Sequence, residues 1–190
     1  MRYARRIAGF AMIEVMVTVV VVAFGLLGIA GLVSRAFVTE VEGTQRTQAM
    51  LLLQDMASRL EANRANVGSY VTANVAVTGY TGTTLNVCNA GAALAARDVC
   101  EWGRMLAGAN EQIGTRNAGV LVGARGCIFE VDNVNRIYAI AIAWEGMTPG
   151  PAPVVDNANF PAGECGRNQY GNENRRRLLT LPVRLGTVGA

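Results

Sequence analysis

The sequence predicts an α+β protein: a long N-terminal helix, apolar in its first half, packed through its second half on a small antiparallel β-sheet. Three observations carry this. Residues Val15 to Val33 contain no charge, and Thr18 is their only hydroxyl. Apolar residues then recur at helical spacing as far as Leu60, and no proline precedes Pro149. Strand-like segments follow between Gly119 and Leu185, divided by Gly, Asn and Pro.

The first apolar run is roughly 28 Å long at about 1.5 Å per residue, close to the hydrocarbon thickness of a bilayer. Arg2, Arg5 and Arg6 precede it, whereas Arg35 is soon followed by Glu40 and Glu42. The positive-inside rule then puts the N-terminus in the cytoplasm and the remainder outside. An ordinary secretory signal carries its small-residue cleavage site after the apolar region. Here the small residue, Gly9, stands before it. A cut after Gly9 keeps the apolar helix in the mature chain, which starts at Phe10. Glu14, near the head of the run, is costly in lipid and therefore reads as functional. Gly25, Gly28 and Gly31 recur every third residue, letting helices approach closely and loosening the helix locally.

From 34 to 66 the helix turns amphipathic. Ala49, Leu52 or Leu53, Met56 and Leu60 form one stripe for burial, and Asp55 pairs with Arg59 at i, i+4. Phe10 to Asn66 reads as one helix of about 57 residues, roughly 85 Å long. Val67 to Val87 is rich in Thr, Val, Gly and Asn and reads as irregular. Ala92 to Leu106 is a second helix, with Leu94, Val99, Trp102 and Leu106 at helical spacing. GVLVGA (119–124) and GCIFEV (126–131) read as strands, followed by RIYAIAIAW (136–144) after Asp132-Asn133. A polar loop covers 146–174. RRLLTLPVRL (176–185) is the last strand, placed at an edge by Pro182. Trp102, Trp144, Phe129 and Tyr138 read as core. Asp98 and Glu101 read as solvated helix charges, and Arg175-Arg176-Arg177 as a charge cluster that keeps a strand edge soluble.

Composition narrows the chemistry. The chain has 190 residues and a net charge of +3, all of it supplied by the three leading arginines. The globular part is thus neutral, and nucleic-acid binding is not expected. With no histidine, the usual general base, the commonest metal ligand and every histidine triad are missing. Neither a cofactor, a metal nor an enzymatic activity is expected. Cys88, Cys100, Cys127 and Cys165 show no C-x-x-C spacing, and an even number beyond an anchor points to disulfides in an oxidising compartment. Four cysteines allow three pairings.

Arginine leader, Gly9, aromatic Phe10 and Glu14 within GFAMIEVMV resemble a type IV prepilin. Asp98 and Trp102 in a helix, a strand ending in Ala143-Trp144, and Cys165-Gly166 followed by Tyr170-Gly171 and Arg176-Arg177 are similar to PilV-type minor pilins. The resemblance implies a type IV pilin-like fold with four segments: leader 1–9, transmembrane and filament-core helix 10–33, amphipathic continuation 34–66, and periplasmic domain 67–190. It implies that a prepilin peptidase cuts between Gly9 and Phe10 and methylates the new amine. It also implies that Glu14 pairs with the N-terminal ammonium of a neighbouring subunit. At 4 Å and an effective dielectric near 20 that attraction is of order 4 kcal/mol before desolvation is subtracted.

The implied partners are other major and minor pilins and the inner-membrane assembly machinery. The implied location is the bacterial inner membrane and then the pilus, where the protein takes part in initiation and the tip complex. A type II secretion pseudopilin shares the whole N-terminal mechanism and is the alternative. A signal-anchored periplasmic enzyme or binding domain is the rival of another class. The resemblance also favours Cys127–Cys165, leaving Cys88–Cys100. A helix running from Ala92 through Cys100 spans about 12 Å, so only a short turn brings Cys88 within the required distance of about 7 Å.

Overall fold

A computed structural model describes residues 11–71, 88–108, 112–113, 116–117, 119, 121–154 and 161–186. The chain divides into two units, Met1–Val41 and Glu42–Ala190. Helix α1 (Met12–Ala62) supplies nearly all of the described part of the first and opens the second. Within the second unit follow α2 (Leu94–Leu106), a small hairpin of β1 (Gln112–Ile113) and β2 (Arg116–Asn117), and the strands β3 (Arg125–Asp132), β4 (Ile137–Glu145) and β5 (Arg176–Arg184). The last three form an antiparallel sheet in the order β3-β4-β5. A long helix followed by this sheet is the expected α+β arrangement.

Four hydroxyls of α1 are satisfied within the helix itself. Thr18, Thr39, Thr47 and Ser58 donate to the carbonyls of Val15, Arg35, Gly43 and Gln54. Its buried positions are Gln45, Ala49, Leu53, Met56 and Leu60, one stripe at i, i+4 and i+3 steps. Between the two candidate leucines, Leu53 takes the core and Leu52 its margin. Gln45 joins the stripe because its Oε1 accepts the indole N–H of Trp144 at 3.2 Å.

The helix ends at Ala62, short of the predicted Asn66. Asn63 (φ −115°, ψ 36°) and Asn66 (φ −114°, ψ 26°) leave helical geometry. Their amides bond to Tyr70 and to each other, the local competition that makes asparagine a poor helix interior. A 3₁₀ helix over Arg64–Tyr70 replaces the expected irregular start of the next segment, and it buries Val67 and Tyr70. Most of the segment predicted as irregular, 72–87, lies outside the described residues.

Helix α2 begins at Leu94, two residues later than predicted, and buries Ala95, Asp98, Val99, Trp102, Gly103 and Leu106. The described residues of GVLVGA, 119 and 121–124, are not a strand. Residues 121–123 form a bend and turn in which Gly123 adopts φ +60°, a conformation that ends extended structure. Leu121 and Ala124 are nevertheless buried, and the Glu145 amide donates to Val122 O. Arg125 opens β3, one residue ahead of Gly126, where that strand was expected to start. A Cβ on Gly126 would overlap the Trp102 ring, so glycine is what lets α2 rest on the sheet. Neither β1 nor β2 was expected from the sequence. Pro182 lies in edge strand β5 opposite Ala139, as anticipated.

The apolar run of β4 conceals an alternation of size. Tyr138, Ile140, Ile142 and Trp144 enter the core shared with α1 and α2. Ala139, Ala141 and Ala143 point the other way and pack with Cys127, Phe129, Ala162 and Cys165. Trp102, Trp144, Phe129 and Tyr138 are all buried, as predicted. The segment read as a polar loop is therefore partly an outer layer. Its 3₁₀ turn Pro161–Glu164 buries Ala162 and Gly163 against the alanine face.

Candidate assembly helix and the clamps of the folded unit

In the first unit, Glu14 lies in the first turn of α1, its amide donating to Ala11 O at 2.9 Å. A carboxylate there meets the positive end of the helix dipole. At about 100° per residue, Glu14, Thr18, Gly25 and Gly28 share a sector about 80° wide, while Gly31 falls roughly 100° from Glu14. Added Cβ atoms at the three glycines would meet nothing within 4 Å. The large apolar side chains from Met12 to Phe37 are exposed. Helix α1 is long and apolar enough, by length and composition, to cross a membrane. Gly9 and Phe10 lie outside the described residues.

The second unit is held by polar clamps of which only the Asp55–Arg59 pair is legible in the sequence. Arg59 donates to Asp55 (2.9 Å), Asp98 (3.1 Å) and Glu101 (2.8 Å). Asp98, only 8% exposed, also accepts from the Tyr70 hydroxyl at 2.5 Å. Asp98 and Glu101 are thus ion-paired, not solvated as expected. Burial works to lower the Arg59 pKa, but Glu101, Asp55 and Asp98 outweigh it and raise it. Burial and the bond to Asp98 push Tyr70 up to about 12. The signal was present, since Asp98 occupies an apolar-stripe position of α2 where a charge needs a partner. An open polar cleft beside this cluster is lined by Arg59, Glu101, Arg104 and Met105.

The three consecutive arginines also depart from the single expected role, because each is used separately. Arg175 pairs with Glu145 at 3.0 Å. Arg176 is fully buried and bonds to Glu173 and to two carbonyls. Arg177 reaches Glu42 at 3.3 Å and the carbonyl of Thr148 at 2.7 Å. Glu42 in turn accepts from the amide and hydroxyl of Thr148. Burial opposes the Glu42 charge, but these donors outweigh it and hold the carboxyl below its usual value.

Both cysteine pairs form disulfides. Cys127–Cys165 joins β3 to the outer turn, with Cα atoms 5.9 Å apart. Cys88–Cys100 closes at 5.8 Å because Asn89 folds the chain back ahead of α2: its side chain accepts from Gly91 N and its carbonyl from Ala92 N. Beginning α2 at Leu94 leaves room for that turn. Among the described residues, no group of three His, Cys, Asp or Glu side chains is arranged to hold a metal.

The chain matches no curated protein and no solved structure. Residues 31–103 match the model of a family described as Tt1218-like, type IV pilin Tt1218. The match begins near the end of the apolar run and extends through most of α2, so it owes nothing to the arginine leader, Gly9 or Glu14. Spanning less than half of the chain, it supports a type IV pilin from residues other than the N-terminal signature.

Proposed function

We propose that this chain is a minor pilin: a membrane-anchored subunit that takes part in type IV pilus assembly and initiation and joins the tip complex. The observation that carries the reading is Glu14 in the first turn of an apolar helix whose large side chains are uncovered. The pilin match over residues 31–103 supports it independently. In this reading residues 1–9 are a leader, 10–33 the anchor and filament core, 34–66 its amphipathic continuation, and 67–190 a periplasmic domain. A prepilin peptidase cuts between Gly9 and Phe10 and methylates the Phe10 amine. The N-terminus faces the cytoplasm until the subunit leaves the inner membrane for the pilus.

Glu14 then acts by register. A subunit displaced along the filament axis leaves both its carboxylate and its neighbour's ammonium unpaired in an apolar core, which is strongly unfavourable. Gly25 and Gly28, on the side of Glu14, allow close helix approach, with Gly31 at the margin of that face. The partners are other pilins and the assembly machinery; the protein is a substrate of the peptidase and performs no catalysis.

Glu14→Ala tests the reading in cells. Processing and membrane insertion should be normal, with incorporation into filaments reduced about tenfold or more. Incorporation at the wild-type level would remove the pairing role. Gly9→Val should leave full-length precursor in the membrane, and normal maturation would refute the assigned cut.

A further inference from the structure

We propose that Arg176 and the Cys127–Cys165 disulfide form one coupled latch. In it the buried guanidinium positions Cys165 for bond formation, and the bond holds the carbonyls that solvate the guanidinium. Arg176, at the start of β5, is fully buried. Its Nη1 donates to Gly163 O at 2.7 Å and to Cys165 O at 3.0 Å, and its Nε donates to Glu173 Oε2 at 2.7 Å. Cys165 is therefore held twice, through its carbonyl from β5 and through its sulfur from β3. Strand β4 separates those two strands, so the turn must cross the outer face of the sheet.

The crossing is close. Cys165 Sγ lies 3.8 Å from the carbonyl oxygens of both Arg125 and Ala141. Gly166 adopts φ +68°, and a Cβ there would sit 2.7 Å from that of Ala143. Small residues on β4 and at 166 thus let the turn settle where Gly163 and Cys165 present their carbonyls to Arg176. A guanidinium buried without those acceptors is strongly unfavourable, so its burial selects the turn conformation in which Cys165 faces Cys127. The Cys88–Cys100 bond is closed by the Asn89 turn and shares none of these contacts, which makes it an internal reference.

Closure in a glutathione buffer balances simply. One cysteine thiolate attacks glutathione disulfide and expels a glutathione thiolate, and the second cysteine thiolate displaces the other glutathione. The two protein sulfurs are oxidised, one glutathione disulfide is reduced to two thiols, and the cysteine protons pass through solvent to the released thiolates.

The test equilibrates the full-length chain, in detergent, with glutathione redox buffers, then alkylates free thiols and maps each pair by mass. Arg176→Gln should lower the closure constant of Cys127–Cys165 about tenfold or more while leaving Cys88–Cys100 within about twofold. Arg176→Lys should recover part of the loss. Glu173→Gln keeps the guanidinium and both carbonyls, and should give a smaller loss that is equally selective. The latch is overturned if neither Arg176→Gln nor Glu173→Gln acts selectively on Cys127–Cys165.

Discussion

Helix α1 is built two ways along its length. Between Met12 and Val41 no described side chain is buried, and Thr18 and Thr39 bond to carbonyls of their own helix. From Glu42 to Ala62 the same helix buries Gln45, Ala49, Leu53, Met56 and Leu60, and it is tied by Glu42 and Arg59 to other elements of the folded unit. The second stretch is completed by its own chain. The first is not: so large an apolar surface needs lipid or neighbouring helices to cover it.

Mutations in the two regions should therefore separate sharply. The largest effect is expected for Trp102→Ala, which removes a fully buried ring and the indole N–H that donates to Leu52 O at 3.0 Å. Denaturant unfolding in detergent should show a loss of about 3–5 kcal/mol. Arg59→Met should follow, at about 2–3 kcal/mol. It strands buried Asp98, although Asp55 and Glu101 reach solvent and recover hydration.

The Tyr70–Asp98 bond gives a pH signature confined to the folded unit. A phenol whose folded pKa is raised contributes fully below its unfolded value of 10.0 and loses that contribution as pH climbs toward about 12. Tyr70 should account for a fall on the order of 2 kcal/mol across that window. Tyr70→Phe should make the slope shallower, leaving the part owed to Tyr138 and Tyr170, whose pKa values burial also raises. The smallest effect belongs to the other region. Leu26→Ala, at a side chain 61% exposed, should change the unfolding of the isolated chain by less than about 0.5 kcal/mol. A larger change would mean that the first half of α1 is already packed within the monomer.

What the sequence disclosed was mostly local. The α1 stripe, the long apolar run before it, the four core aromatics and the edge position of Pro182 each follow from spacing or from one residue's chemistry. What escaped it depends on partners distant in the chain. Asp55–Arg59 was legible at i, i+4, but Asp98 and Glu101 complete that cluster from α2. Arg176 looked like one of three surface charges until β5 placed it under the outer turn. GVLVGA has the apolar content of a strand, yet the positive φ at Gly123 breaks it. The alternation of large and small residues in β4 was visible in RIYAIAIAW. Only the packing reveals that the alanines make room for a disulfide-linked layer. In the proposed assembly helix, Glu14 and the glycines stand out in the sequence as a charge and as gaps in an apolar run. The cut at Gly9 rests on resemblance alone.

The most direct test is intact mass and N-terminal sequencing of the protein purified from membranes. A chain beginning at N-methylated Phe10, with residues 1–9 absent, is the predicted result. A chain that still begins at Met1 would contradict the account, because the ammonium that Glu14 is proposed to meet would not exist at that position.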